Sequence, residues 1–170
     1  MKKLTVICMT LMAMIFAVSC RGPVGPEGPM GNANVASSTL TIYPSQWYWD
    51  NSTNTSWRVD IEYKAINADI DAHGAVLVYM DVEGTWRQIP MTYYYYDEQY
   101  DSFYGSSLEV SSYLEGVSIF WTESDLSQLD PPGTHDFKIV VIEANVYQSR
   151  SDVDYSNYEA VKKAFQLADD

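Results

Sequence analysis

Two thiols, two imidazoles and 23 carboxylates are the reactive groups of this 170-residue chain, and their spacing limits the chemistry open to it. The imidazoles, His73 and His135, stand far apart in turn-like sequence. No His-x-x-x-His and no clustered Cys/His spacing occurs, so a zinc site has little support. Asp69, Asp71 and His73 alternate, and on an extended strand they would share one face and could ligate a metal. A polar loop between two strands is the stronger account, because loops collect Asp and His for turn chemistry alone. Asp97-Glu98-Gln99-Tyr100-Asp101 and Asp152-Val153-Asp154 offer calcium-type oxygen ligands, yet neither has the spacing of an EF-hand loop. Acids are too abundant for any one pair to mark a glycosidase. There is no Gly-x-Ser-x-Gly elbow and no Gly-rich phosphate loop between a strand and a helix. The expectation is a protein that is not an enzyme, with no catalytic residues, no metal and no cofactor.

The aromatic residues are the unusual feature: 14 tyrosines and five tryptophans. Tyr93-Tyr94-Tyr95-Tyr96 run in a row, and Tyr100, Phe103 and Tyr104 follow. Trp47-Tyr48-Trp49 falls in a short stretch that reads as an edge strand. On a strand, Tyr93 and Tyr95 face one side and Tyr94 and Tyr96 the other. One pair can enter a core; the other must be exposed, covered or part of an interface. Exposed aromatic planes stack on sugar rings and anchor protein interfaces. Trp47, Trp49, Tyr94 and Tyr96 are therefore the candidate ligand-binding residues, for a glycan or a protein ligand. The competing account is that tyrosine simply suits strands.

The thiols belong to different chemistry. Lys2 and Lys3 precede an apolar run, Leu4 to Val18, of fifteen residues. That is short of the about 20 residues a membrane-spanning helix needs, and it suits the apolar part of an export signal. The run closes on Ala17-Val18-Ser19-Cys20. This resembles the lipobox of bacterial lipoproteins, with Ala17 where Leu is commonest. The resemblance implies a signal peptide over 1–19, cleavage before Cys20 and a diacylglycerol on its thiol. With Cys8 in the signal, Cys20 is the one thiol left, and no intrachain disulfide can form. A lipid-anchored protein of the cell envelope follows, with the outer membrane favoured over the inner and the face left open. Beyond the signal, eight basic residues stand against 23 acids, a net charge of −15. Such a polyanion has no general affinity for nucleic acid or anionic lipid.

Residues 20–33 continue from the cysteine through Gly22-Pro23-Val24, Gly25-Pro26-Glu27, Gly28-Pro29-Met30 and Gly31-Asn32-Ala33. Glycine at every third residue is what a collagen triple helix demands. Four triplets are few, however, so a polyproline-II spacer reaching roughly 35–40 Å is the preferred reading, at about 3.1 Å per residue. A monomer is favoured over a trimer, and the alternative to a binding module is a structural or assembly component, trimerising through this run, with no small ligand. The lipobox, the Gly-Pro-X run, "GNANV" (Gly31 to Val35) and a C-terminal "NYEAVKKAF" (Asn157 to Phe165) together resemble the small collagen-like lipoproteins of Bacteroidota-type bacteria. That resemblance implies an anchored, exported protein with a β-rich domain and supplies no catalytic residues.

What must position the aromatics is the stretch from residue 34 to 170. Runs rich in Thr, Val, Ile, Tyr and Trp alternate with turn residues, predicting strands near Val35–Tyr43, Gln46–Trp49, Ser56–Ile66, Ala75–Val82, Thr85–Tyr95, Phe103–Ser112, Val117–Thr122 and Phe137–Glu143. Seven or eight strands at this spacing predict an all-β antiparallel sandwich, Ig-like or jelly-roll-like. Glu83-Gly84 and Glu115-Gly116 read as hairpin turns. In Trp57 to Lys64 apolar and charged residues alternate, so one face is wet; Val76–Met80 and Ile139–Ile142 are apolar on both faces and should be central. A single amphipathic helix, about Asn157 to Leu167, can supply cover, docked on the sheet or over its open end. Ser156 and Glu159 have capping-box spacing, and Tyr158, Val161, Phe165 and Ala168 share a face.

Overall fold

The computed structural model describes residues 34–98, 101–126, 128 and 130–168. The expected signal, Cys20 and the Gly-Pro-X run lie outside these residues. The β-branched and aromatic runs become nine strands among the described residues: β1 (Val35–Ile42), β2 (Tyr48–Trp49), β3 (Trp57–Glu62), β4 (Ala75–Val82), β5 (Thr85–Ile89), β6 (Met91–Asp97), β7 (Ser102–Tyr113), β8 (Gly116–Glu123) and β9 (His135–Ile142). With them are three short α-helices, α1 (Ala68–His73), α2 (Ala144–Ser149) and α3 (Tyr158–Phe165), and a 3-10 turn at Pro44–Gln46. The strands pair antiparallel in two sheets, ordered β1-β9-β4-β5 and β2-β3-β8-β7-β6. The fold is an all-β sandwich.

Side-chain alternation decides which faces meet. On β3, Val59 is buried between the sheets while Asp60 points to solvent. β4 and β9 are the middle strands of the four-stranded sheet and are apolar on both sides. Val78, Met80, Ile139 and Val141 turn inward and pack with Val59, Leu108, Ile119 and Trp121 of the other sheet. Leu77, Tyr79, Val140 and Ile142 turn outward and are covered by Tyr158, Val161, Phe165 and Leu167. The C-terminal segment is thus a third layer on one sheet, the first of the two placements its apolar spacing left open.

Several elements differ from the sequence reading, each for a local reason. The run Thr85–Tyr95 is two strands, because Pro90 has no N–H for a ladder. Ile89 pairs with Val78 in one sheet, and Met91 pairs with Leu108 in the other. The strand expected over Ser56–Ile66 stops at Glu62, and the one expected from Gln46 starts after the 3-10 turn. Asp69, Asp71 and His73 lie on α1, not on a strand or loop; Asn67 starts this helix by accepting from the Asp69 and Ile70 amides. α1 and α2 have six residues each, too short to register as amphipathic periods, so the expectation of a single helix gives way. Asn157, not Ser156, caps α3, its side chain accepting from the Glu159 and Ala160 amides, while the Ser156 hydroxyl is taken by Asp154 at 2.6 Å. Gln166 in the left-handed region ends α3, which returns Leu167 to the sheet and leaves Ala168 exposed. The β4–β5 hairpin turns on Glu83-Gly84, both at positive φ. The β7–β8 turn is Leu114-Glu115, one residue earlier than expected, since Tyr113 pairs with Gly116.

Candidate functional site

The outer face of the five-stranded sheet carries no third layer among the described residues. Pairing places Tyr94 opposite Gly105 and Tyr96 opposite Phe103 on that face. All three rings are open to solvent: Tyr94 is 75% exposed, Phe103 74% and Tyr96 48%. Tyr94 lies close over Gly105, where an added Cβ would sit 2.8 Å from its Cε1. The Cδ1–Cε1 side of the Tyr94 ring therefore rests near the Gly105 backbone while most of its surface meets water. Tyr96 and Phe103 lean together with ring centres 5.1 Å apart. The Tyr96 hydroxyl donates to Asp101, and that bond holds the phenol above its usual pKa.

The inward pair of the tyrosine run does other work. Tyr93 packs edge-on against Trp121 at 6.0 Å, and Tyr95 stacks on Tyr104 at 6.1 Å. The Tyr95 hydroxyl reaches Glu123 at 3.3 Å, and the same carboxylate accepts from the Trp121 indole at 2.7 Å and from Ser106 at 3.0 Å. This end of the sandwich is stitched to itself.

Trp47 and Trp49 do not join the exposed strip. Trp47 is 5% exposed and sits edge-on to Trp121 and Phe137 in the core. Trp49 is 9% exposed, packs edge-on to Trp57 at 5.5 Å and donates its indole N–H to Asn54 at 2.9 Å. Both are walls of the domain, and neither offers a stacking face to a ligand. β2 is an edge strand as expected, but its register with β3 sends Trp49 inward and Tyr48 outward.

Tyr48 belongs to a cluster that sequence reasoning missed. Its hydroxyl donates to Asp60 at 2.5 Å; Arg58 donates to the same carboxylate through Nε at 2.8 Å and to Ser118 at 3.1 Å. The Arg58 guanidinium lies 5.3 Å from the Phe120 ring centre and 6.0 Å from that of Tyr48. Burial works to raise the Asp60 pKa, but hydrogen bonds from Ser118, Tyr48 and Arg58 outweigh it and hold the carboxyl below its usual range. Partial burial, and then the bond to Asp60, push the Tyr48 phenol up to about 12. The signal was the alternation of charge at positions 58 and 60, which shows which face is wet but not that its charges are mutually satisfied.

The other candidates are placed without convergence. His73 lies 3.4 Å from Asp69 one turn away on α1. His135 stacks on Trp121 at 5.0 Å, and its half-burial lowers the imidazole pKa. Asp152 is held by Arg150, and Asp154 by Ser156. Among the described residues no group of three or more His, Cys, Asp or Glu side chains is placed to hold a metal ion. The run Asp97 to Asp101 includes residues 99 and 100, outside those described. No family model matches the chain, and comparison with curated proteins and with solved structures gave no match.

Proposed function

We propose that this chain is an exported, non-enzymatic lipoprotein, anchored to the cell envelope by lipid on Cys20, whose sandwich is a binding module. The Gly-Pro-X run acts as a short spacer that lifts the module from the membrane. The observation that carries the binding role is the strip of Tyr94, Tyr96 and Phe103. Three large rings sit side by side in water, where burying them on a ligand would recover the hydrophobic free energy that folding leaves unused. The anchor is supported by the residues around Cys20: two lysines, a short apolar run and small residues before the thiol.

Two measurements test this reading. Cells fed an alkyne-tagged fatty acid should label the wild-type chain but not Cys20→Ala, which should leave the membrane fraction; equal labelling ends the anchor proposal. The full chain should bind envelope extract or a panel of glycans and peptides through the strip. A Tyr94→Ala/Phe103→Ala double variant that binds every probe as the wild type does would remove the strip from the function.

A further inference from the structure

We infer that the strip takes an extended, positively charged peptide segment of a partner protein, laid alongside β6. This rests on the reading that the strip is the binding face, and it names the occupant. From Gln88 to Phe137 the chain carries nine acids and no lysine or arginine, and this stretch builds β6, β7 and β8. Glu98 and Asp101 are exposed at the hairpin end of the strip, and Glu109 is exposed on the same sheet face. The nearest base on that face, Arg58, is neutralised by Asp60. Such a field repels a second copy of itself, nucleic acid and anionic glycans, and it draws cations. The rings give a cation a seat, because a guanidinium or ammonium is attracted to the face of tyrosine or phenylalanine. An uncharged sugar would use the rings and ignore the field.

The strand geometry argues for an extended segment. β6 is the last strand of its sheet, paired with β7 and with no second neighbour among the described strands. The outer edge of a terminal strand is the side to which a further strand can add. By contrast, the edge strand β5 of the other sheet is bridged by Asn157 at Arg87. Side chains on one face of an added strand recur at about 6.6 Å, the interval between Tyr94 and Tyr96. A segment with Arg or Lys at every second position would set each base beside a ring.

Fluorescence anisotropy with labelled synthetic peptides and the full chain, in a non-ionic detergent, tests this. The probes are an alternating Arg–Val peptide, the same composition with all Arg at one end, an alternating Glu–Val peptide, the Arg–Val peptide with alternate amides N-methylated, and an uncharged oligosaccharide. The alternating Arg–Val peptide should bind, weaken on added salt, and outcompete the blocked one; the Glu–Val and N-methylated peptides should fail. Tyr94→Leu and Tyr96→Leu should each weaken it about two- to fivefold, with Tyr94→Phe restoring affinity and unchanged thermal unfolding showing that the variants fold. Equal binding of blocked and alternating peptides, or survival of the N-methylated one, overturns the added strand. Strip-dependent binding of the oligosaccharide alone overturns the cationic occupant but leaves the binding face standing. A dimer seen by light scattering and abolished by the ring variants would make the occupant a second copy and likewise sink the proposal. Peptide binding indifferent to the ring variants would sink both.

Discussion

On the outer face of the four-stranded sheet, Leu77, Tyr79, Val140 and Ile142 lie beneath the C-terminal layer. On the outer face of the five-stranded sheet, Tyr94, Tyr96 and Phe103 have no such cover among the described residues. The aromatics on the two faces are also tied differently. The Tyr79 hydroxyl donates to the Tyr155 carbonyl at 2.7 Å, across 76 positions of sequence. Lys138, 3% exposed, donates to the Tyr158 hydroxyl at 2.9 Å and sits over the Trp86 and Tyr158 rings. Tyr96, by contrast, bonds to Asp101 within its own hairpin. Rings that hold the fold together reach distant segments; rings on the strip reach only their neighbours. Among the described residues the strip is tied only within the β6–β7 hairpin.

Breaking the covered face should have the largest effect. Phe165 is 6% exposed, and Phe165→Ala should cost about 3–5 kcal/mol, measured by denaturant unfolding; a loss below 1 kcal/mol would mean α3 is not part of the cooperative unit. Next comes the crowding of Tyr94 over Gly105. Gly105→Ala should cost about 1–2 kcal/mol, and much of that should vanish in a Tyr94→Ala background, where the ring that blocks the methyl is gone. Strict additivity in that cycle would show that the ring does not rest on the glycine.

The Asp60 cluster should matter less, being part-exposed. Asp60→Asn should cost about 1 kcal/mol or less near neutral pH. The Asp60 pKa is lowered in the fold, so its carboxylate stabilises the protein above the ordinary carboxylate value, and that contribution is lost as pH falls through the lower folded value. The gap between wild type and variant in thermal unfolding should thus close as pH drops below about 4. A gap that widens in acid would contradict the assigned hydrogen bonds. The smallest effect is the most informative for the comparison: Phe103→Ala should change stability by no more than about 0.5 kcal/mol. A larger loss would make the strip structural and weaken its claim to be a binding face.

Local pattern made much of this legible. The alternation in Trp57 to Lys64 correctly marked a face turned to water, and the two-sided apolar runs at Val76–Met80 and Ile139–Ile142 marked central strands needing cover. Pro90 is the one local mark of the break within Thr85–Tyr95, and the β-rich residues on either side mask it. The fate of Trp47 and Trp49 was not legible, because alternation separates the two faces of a strand without saying which one the second sheet will cover. The Tyr48–Arg58–Asp60–Ser118 cluster joins residues up to 70 positions apart, from three strands; no spacing along the chain announces it.

The sequence by itself determined the class of fold, the need for cover on its two-sided apolar strands and the alternation that parts Tyr93 and Tyr95 from Tyr94 and Tyr96. These follow from periods of two and of 3.6 residues, which are properties of a single segment. Tertiary structure alone decided which aromatics stay in water. Tyr94 and Trp49 belong to similar residue classes in similar edge strands, and both alternate within their strands. Trp49 is buried because its register with Trp57 turns it toward the opposite sheet, and Tyr94 is exposed because its register with Gly105 turns it away. Burial depends on what lies across the gap, and that partner is supplied by distant parts of the chain.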